Sequence, residues 1–400
     1  MRYIKYAFIL IILSLTAPRC AIAKTVMHLG AYGSMEYSDN YNGTAHDSRS
    51  DVTYEAGPSV EISSVSRTLD YGVAGHITRS YHRHNDQDDT TEALLSGHAS
   101  IAELLEASIE YTKTREREYL DQAPGFYRRH TASISLHKDI SPETNISTGY
   151  TRYHENAPDE DTTDNAVSLR VNHTLTPYTT GTFAAGYDAY SYEIRNDVSI
   201  FTSEIDLRTN LTQKNTIGPT LEYAHHARER LNDEDVYTLL FYWIYAIRPS
   251  TTLTTALGRS WLDLENESNH TETDAIITLS QGLPRDTLSF GLSKSYTIEY
   301  SESNRYGTYR TKSATLSWEH RFSRNLSTRV SGEVLKRKPT EVIVSVFEGR
   351  EKDITSDGSI IWHFNRYVTM NATYEHLEHH YQFLDTVREN RYRFSVEVLY

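Results

Sequence analysis

The chain has 400 residues, 38% of them hydrophobic, with a net charge of -14 and a mean hydropathy of -0.57. This average excludes a polytopic helical membrane protein, because each helical span needs roughly 20 predominantly apolar residues. The acidic balance also disfavours nucleic acid as a partner. Yet the chain carries 30 Tyr, 11 Phe and 4 Trp against 10 Pro, a composition that argues against disorder. A transmembrane β-barrel reconciles these observations: its strands alternate lipid-facing and water-facing residues, so they average out as polar.

The N-terminus reads as a secretory signal peptide over residues 1–23. Arg2 and Lys5 form a charged start, Tyr6 to Thr16 is a short apolar core, and Ala21-Ile22-Ala23 fits the small-residue cleavage pattern. Cys20 follows Arg19, where a lipobox has a small residue, so the signal reads as cleaved rather than lipidated. Cys20 is the only cysteine, and its loss leaves no thiol for a disulfide or a metal site. Removing these residues, with three basic and no acidic side chains, takes the charge to -17. Residues 24–400 then form a single barrel domain. The first strand, Met27 to Tyr37, follows the cleavage site closely, so no N-terminal plug domain is expected.

Period-two alternation recurs along the whole mature chain. Leu105, Ala107, Ile109 and Tyr111 oppose Glu106, Ser108 and Glu110; Val167, Leu169 and Val171 oppose Ser168, Arg170 and Asn172; Ala314, Leu316 and Trp318 oppose Thr315, Ser317 and Glu319. Between strands, short turns such as Ser141-Pro142, Thr176-Pro177-Tyr178, Arg248-Pro249-Ser250, Leu283-Pro284-Arg285 and Asn365-Arg366 alternate with longer polar loops such as 39–50, 115–126 and 338–352. Short periplasmic turns and long external loops describe a bacterial outer-membrane barrel. The spacing predicts an all-β, antiparallel, up-and-down barrel of about 20 strands, with 18 as the alternative; residues 92–114 and Val342 to Phe347 are the hardest to partition. The last strand is the clearest. Tyr392, Phe394, Val396, Val398 and Tyr400 share one face, a C-terminal signature of the kind read by the barrel-assembly machinery, while Arg391, Arg393, Ser395 and Glu397 share the other.

No catalytic spacing such as GxSxG or HExxH stands out, so the sequence implies neither an enzyme nor a cofactor. His376 and His380 have equal parity and His379 the opposite; as with His225-His226 and His82/His84, this reads as solvated polar chain rather than a metal site. The informative residues are the charges of inward parity: Glu55, Glu61, Glu106, Glu110, Arg170, Glu204, Asp206, Glu319, Arg321, Arg329, Glu333, Arg391, Arg393 and Glu397. They either set which solutes enter or pair across strands to hold the wall. Tyr150, Tyr187, Tyr296 and Tyr374 read as interfacial girdle residues, and Tyr190 and Tyr192 as inward candidates for stacking on a sugar. Val236 to Ile247 is apolar on both faces, which suits either a protomer interface or an inward-packed strand.

Three features resemble the type 2 family of outer-membrane β-barrel porins: the opening segment Met35-Glu36-Tyr37-Ser38-Asp39-Asn40-Tyr41, the strand ends Asp139-Ile140-Ser141-Pro142-Glu143-Thr144 and Thr174-Leu175-Thr176-Pro177, and the aromatic last strand. Asn210-Leu211-Thr212-Gln213 departs from the Pro form. The resemblance implies a place in the outer membrane, among lipid and lipopolysaccharide, and a role as a conduit for an exopolysaccharide of the biofilm or capsule type, working with a periplasmic polysaccharide-export protein. The alternatives are a general or ion-selective diffusion porin, which would want a constricting loop such as 338–352, and a structural surface barrel.

Overall fold

The computed structural model describes residues 24–41, 48–66, 69–84, 90–101, 104–116, 125–157, 161–193, 197–228, 233–264, 269–300, 306–339, 351–381 and 386–399. Residues 1–23, read as a signal peptide, Tyr400 and the stretch from Val342 to Phe347 lie outside them. The strands in chain order are β1 (Lys24–Ser38), β2 (Asp51–Val65), β3 (Leu69–His82), β4 (Thr90–Ile101), β5 (Leu105–Glu116), β6 (Gly125–Ser141), β7 (Thr144–Asn156), β8 (Asp161–Thr176), β9 (Thr179–Tyr192), β10 (Val198–Asn210), β11 (Asn215–Arg228), β12 (Glu234–Arg248), β13 (Thr251–Leu264), β14 (His270–Gly282), β15 (Asp286–Tyr300), β16 (Tyr306–Arg321), β17 (Leu326–Pro339), β18 (Glu351–His363), β19 (Val368–Tyr381) and β20 (Val387–Leu399). Each pairs antiparallel with its chain neighbours, and β1 pairs with β20 to close the sheet. Residues 92–114 resolve into most of β4 and β5, which settles the count at 20 rather than 18. Among the described residues there is no helix and no plug domain.

Connections at one end hold two to four residues and those at the other four to twelve, the asymmetry that outer-membrane barrels show between periplasmic turns and external loops. The connection at 193–197 has neither Pro nor Gly, and composition alone does not mark it.

Because the side-chain period is two, register assigns every strand position to one of two faces. One face is apolar and points outward: Leu29, Tyr54, Ile109, Tyr150, Tyr187, Phe241, Leu257, Leu316, Ile360, Tyr374 and Phe394 are all more than a third exposed. At the closing pair, Tyr37, Met35, Gly33 and Ala31 stand opposite Tyr392, Phe394, Val396 and Val398 on this outer face. Near the short turns, Trp243 donates to Asn215 at 3.1 Å and Trp318 to Asp286 at 3.2 Å, so each indole rests on apolar surface while its N–H is satisfied. Within β12, Val236 and Leu240 point inward and are buried, whereas Tyr237, Leu239, Phe241 and Trp243 point outward; both faces are apolar because both are used within one chain.

The seam between β1 and β20 is stapled from inside. Arg393 donates to Glu55 on β2 at 2.7 Å and to the Tyr32 hydroxyl at 2.8 Å. Arg391 donates to Glu389 at 2.9 Å and to Glu375 on β19 at 3.4 Å, and Ser38 donates to Glu389 at 2.6 Å. Charge-assisted bonds in this partly desolvated cluster are stronger than exposed pairs. Arg393→Ala should therefore lower the urea stability of the folded barrel by about 2 kcal/mol, as bonds to charged groups are worth. Arg321→Ala breaks only the exposed pair with Glu319 at 3.3 Å and should shift it by less than ~1 kcal/mol. Equal shifts in tryptophan-fluorescence unfolding curves would remove the seam from the account.

Candidate functional site: the inner wall

The strand register puts all fourteen charges of inward parity on the face opposite the exposed apolar one. Some of them meet partners. Arg393 bonds Glu55, Arg391 bonds Glu375, Arg321 bonds Glu319 and Asp206 accepts from Arg208 at 2.8 Å. Among the described residues no ion pair forms to Glu61, Glu106, Arg170, Glu204, Arg329, Glu333 or Glu397, although Arg329 stands opposite Glu319 in register.

Water reaches the two halves of this face unequally. Toward the long-loop end, Ser38, Asp51, Ser80, Thr90, Glu155, His226, Glu234, Leu262 and Glu389 all point inward and are at most 4% exposed. Lower down, Glu106, Arg170, Arg329 and Glu397 are exposed to the lumen. The buried core of this molecule thus lies inside the external half of the barrel.

Part of what fills that half is a hairpin. β13 and β14 pair over twelve positions, but β14 and β15 pair over only eight, ending at Ala275 opposite Lys294. Beyond that point β15 and β16 continue as a pair up to Tyr300 opposite Tyr306. Freed from β14, the hairpin turns inward. Lys294 bonds Glu272 on the inner face of β14, and Arg310 reaches the same carboxylate at 3.1 Å. Tyr296 packs against the buried pair Val236 and Leu262, as does Ala224. The opposite face of the hairpin is covered too, with Tyr309 at 9% and Thr311 at 5% exposure. This corrects the parity reading of Tyr296: strand alternation holds, but the strand leaves the wall, so a girdle position becomes a lumenal one. Tyr150, Tyr187 and Tyr374 remain on the outer face.

Beside Tyr296 the inner wall of β7–β12 holds a cavity of about 620 Å³. Its floor is low because Ala166, Ser168, Ala184, Gly186 and Thr202 are small. One ladder row crosses it: Ser147, Arg170, Ala184, Glu204, Glu222 and Thr238 stand opposite one another in succession. Arg170 and Glu204 are thus separated by an alanine, and Glu204 directly faces Glu222. Asp188 lies two inward-facing rows along the strand, between Ala166 and Ile200. Arg208 is held away by Asp206 and stacks 4.1 Å above the Tyr242 ring. The sequence reading omitted Asp188 and Glu222, which the same parity in β9 and β11 would have found. The cavity is lined by more acid than base, is open to water, and has the size of a small-molecule site. Such an arrangement attracts cations and polar solutes and offers no nucleophile–base pair.

Tyr190 and Tyr192 also face inward and stack at 6.5 Å and 14°. On β19, His376 and His380 share the outer face at the external rim with Glu378, whereas His379 points inward and pairs with Asp353. Among the described residues no group of three or more metal-ligating side chains converges.

No protein-family model matches the sequence, and no curated protein matches it. The fold does have solved counterparts. The chain aligns with the siderophore receptor PirA from Pseudomonas aeruginosa at 10% identity and a TM-score of 0.53, covering 93% of this chain and 80% of that one. It aligns with the copper transporter OprC at 9% identity and a TM-score of 0.54, covering 95% and 83%. OpdO from Pseudomonas aeruginosa gives 12% identity and a TM-score of 0.47, covering 94% and 97%, a score too low to argue from. At these identities the likeness concerns the fold alone, and that fold is a large antiparallel barrel of the kind that crosses the bacterial outer membrane.

Proposed function

We propose that the chain is an outer-membrane diffusion channel for small polar solutes, with a preference for cations. The observation that carries this reading is the β15–β16 hairpin turned into the external half of the lumen, above an exposed and acid-rich lower wall. A 20-strand wall is too wide for its own side chains to fill. An inward element restores a filter, and acidic groups beneath it bias what enters. This is the constriction that a diffusion porin requires, supplied by a strand hairpin rather than by 338–352, most of which lies outside the described residues.

Export of an exopolysaccharide is the second reading, and with it the periplasmic export protein as partner. The stacked Tyr190–Tyr192 pair favours it, since parallel rings on an inner wall suit sugar faces. The narrowed external half weighs against passage of a polymer.

Purified protein in liposomes should pass monosaccharides readily and exclude oligosaccharides, with stable single-channel conductance in planar bilayers. Deletion of the gene should leave polymer secretion intact. Loss of secreted polymer on deletion, together with no small-solute permeation, would reverse the order of the two readings.

A further inference from the structure

The β15–β16 hairpin leaves the wall on one side only. β16 stays paired with β17 up to Tyr309 opposite Pro339, whereas β15 parts from β14 after Lys294 opposite Ala275. His270–Asp274 on β14 and Ser295–Tyr300 on β15 keep their pairing to β13 and β16 but not to each other.

The sequence across this split is still that of a wall strand. Tyr296, Ile298 and Tyr300 alternate with Ser295, Thr297 and Glu299, and Thr271 and Thr273 alternate with Glu272 and Asp274. Continuing the register of Ala275 and Lys294 would set Asp274 opposite Ser295, Thr273 opposite Tyr296 and Glu272 opposite Thr297. The aromatic and aliphatic positions of β15 would then face lipid and its polar ones the lumen, as in the strands that stay in the wall. Packing inside the lumen alone does not call for that alternation.

A small set of contacts holds the hairpin inward. Lys294 and Arg310, one from each arm, both have outward parity. Both nevertheless bond the inward carboxylate of Glu272, Arg310 at 3.1 Å. Tyr296 packs against Val236 and Leu262. The inward reach also draws the Lys294 ammonium out of a row of like charge, since Lys294, Lys312, Lys336 and Lys352 stand opposite one another in succession. Against these contacts stand the ladder left unmade across the split and a buried acid. Asp274, on the inner face beside the split, is 1% exposed, and its Oδ1 has no hydrogen-bond partner among the described residues.

We propose that the β15–β16 hairpin is a gate with two positions. Turned inward and latched by Glu272, it narrows the external half of the lumen; zipped onto β14, it completes the wall and widens the passage. Its effect on conductance rests on the diffusion-channel reading, whereas the movement itself does not. Glu272 is the latch because its two cation bonds exist only in the inward position: on zipping, Lys294 and Arg310 return to the outer face.

Cys20 is the only native cysteine, so each introduced pair reports on one contact. In the purified full chain, Val236→Cys/Tyr296→Cys should oxidise to a disulfide that fixes the inward position. Thr273→Cys/Tyr296→Cys should oxidise to one that fixes the zipped position. In planar bilayers the first should hold a low conductance and the second a high one, each reversed by a reductant. Glu272→Gln should raise the ratio of time at high to low conductance roughly tenfold, as loss of a bond to a charged group implies. It should also speed the disulfide between positions 273 and 296. Failure of that disulfide to form in either background overturns the proposal. So does conductance that is indifferent to both disulfides. If a cysteine pair fails to fold, Glu272→Gln alone decides, and an unchanged ratio overturns the gate. Both disulfides forming in a protein that never conducts would strike the diffusion reading and leave the movement standing.

Discussion

Gly57→Val and Gly218→Val should each prevent assembly of a stable barrel. A Cβ built on Gly57 falls inside the van der Waals envelope of the Ile77 carbonyl oxygen, and one on Gly218 inside that of Leu207. In both cases the obstacle is the backbone of the neighbouring strand, which cannot move without giving up its ladder bonds. Both glycines precede a proline, Pro58 and Pro219, that lacks an N–H, and at both places the cross-strand pairing lapses over two positions while the register stays the same. The chains approach closely where pairing is interrupted, and only glycine leaves room. Overpacking commonly costs 1–3 kcal/mol, and with backbone as the obstacle about 3 kcal/mol or more is expected. The measurement is the folded fraction by heat-modifiable gel mobility after refolding. Gly332→Ala, whose nearest neighbour atom lies at 3.6 Å, should fold like the wild type. Normal folding of both valine variants would show that the strands have slack the ladder does not suggest.

The second large effect is on ion selectivity. Glu204→Gln/Glu222→Gln removes two facing carboxylates from the cavity beside Tyr296. At contact in bulk water a unit charge pair is worth about 1 kcal/mol, or roughly a fivefold factor in local ion concentration. The potassium-to-chloride permeability ratio, taken from reversal potentials in a salt gradient, should therefore fall about fivefold. Arg170→Gln, two strands away in the same row, should move it in the opposite direction. The effect should fade in high salt as the charges are screened. A ratio indifferent to both changes would mean that ions pass elsewhere.

Much of this architecture is legible in the order of residues. Alternation such as Tyr392, Phe394, Val396, Val398 against Arg391, Arg393, Ser395, Glu397 is a local property, because a strand needs only its own backbone to send successive side chains to opposite faces. Strand number, the faces of most charged residues and the turn positions follow from that periodicity and from Pro, Asn and Ser at the breaks. Cross-strand facts are of another kind. That Glu204 faces Glu222, that Lys113 faces Arg128, and that Arg393 reaches Glu55 across the closing seam depend on register between segments far apart in sequence.

Tyr296 marks the boundary between the two kinds of knowledge. Its parity is that of an outward residue, and periodicity has no means of announcing that β15 parts from β14 at Lys294 and carries it inward. By itself the sequence determined a wide, polar-lined, aromatic-girdled barrel. Only the tertiary structure decided that its external half is narrowed by an inward hairpin, because that depends on where the hairpin finds its best burial, against Val236 and Leu262 inside the wall instead of in the sheet.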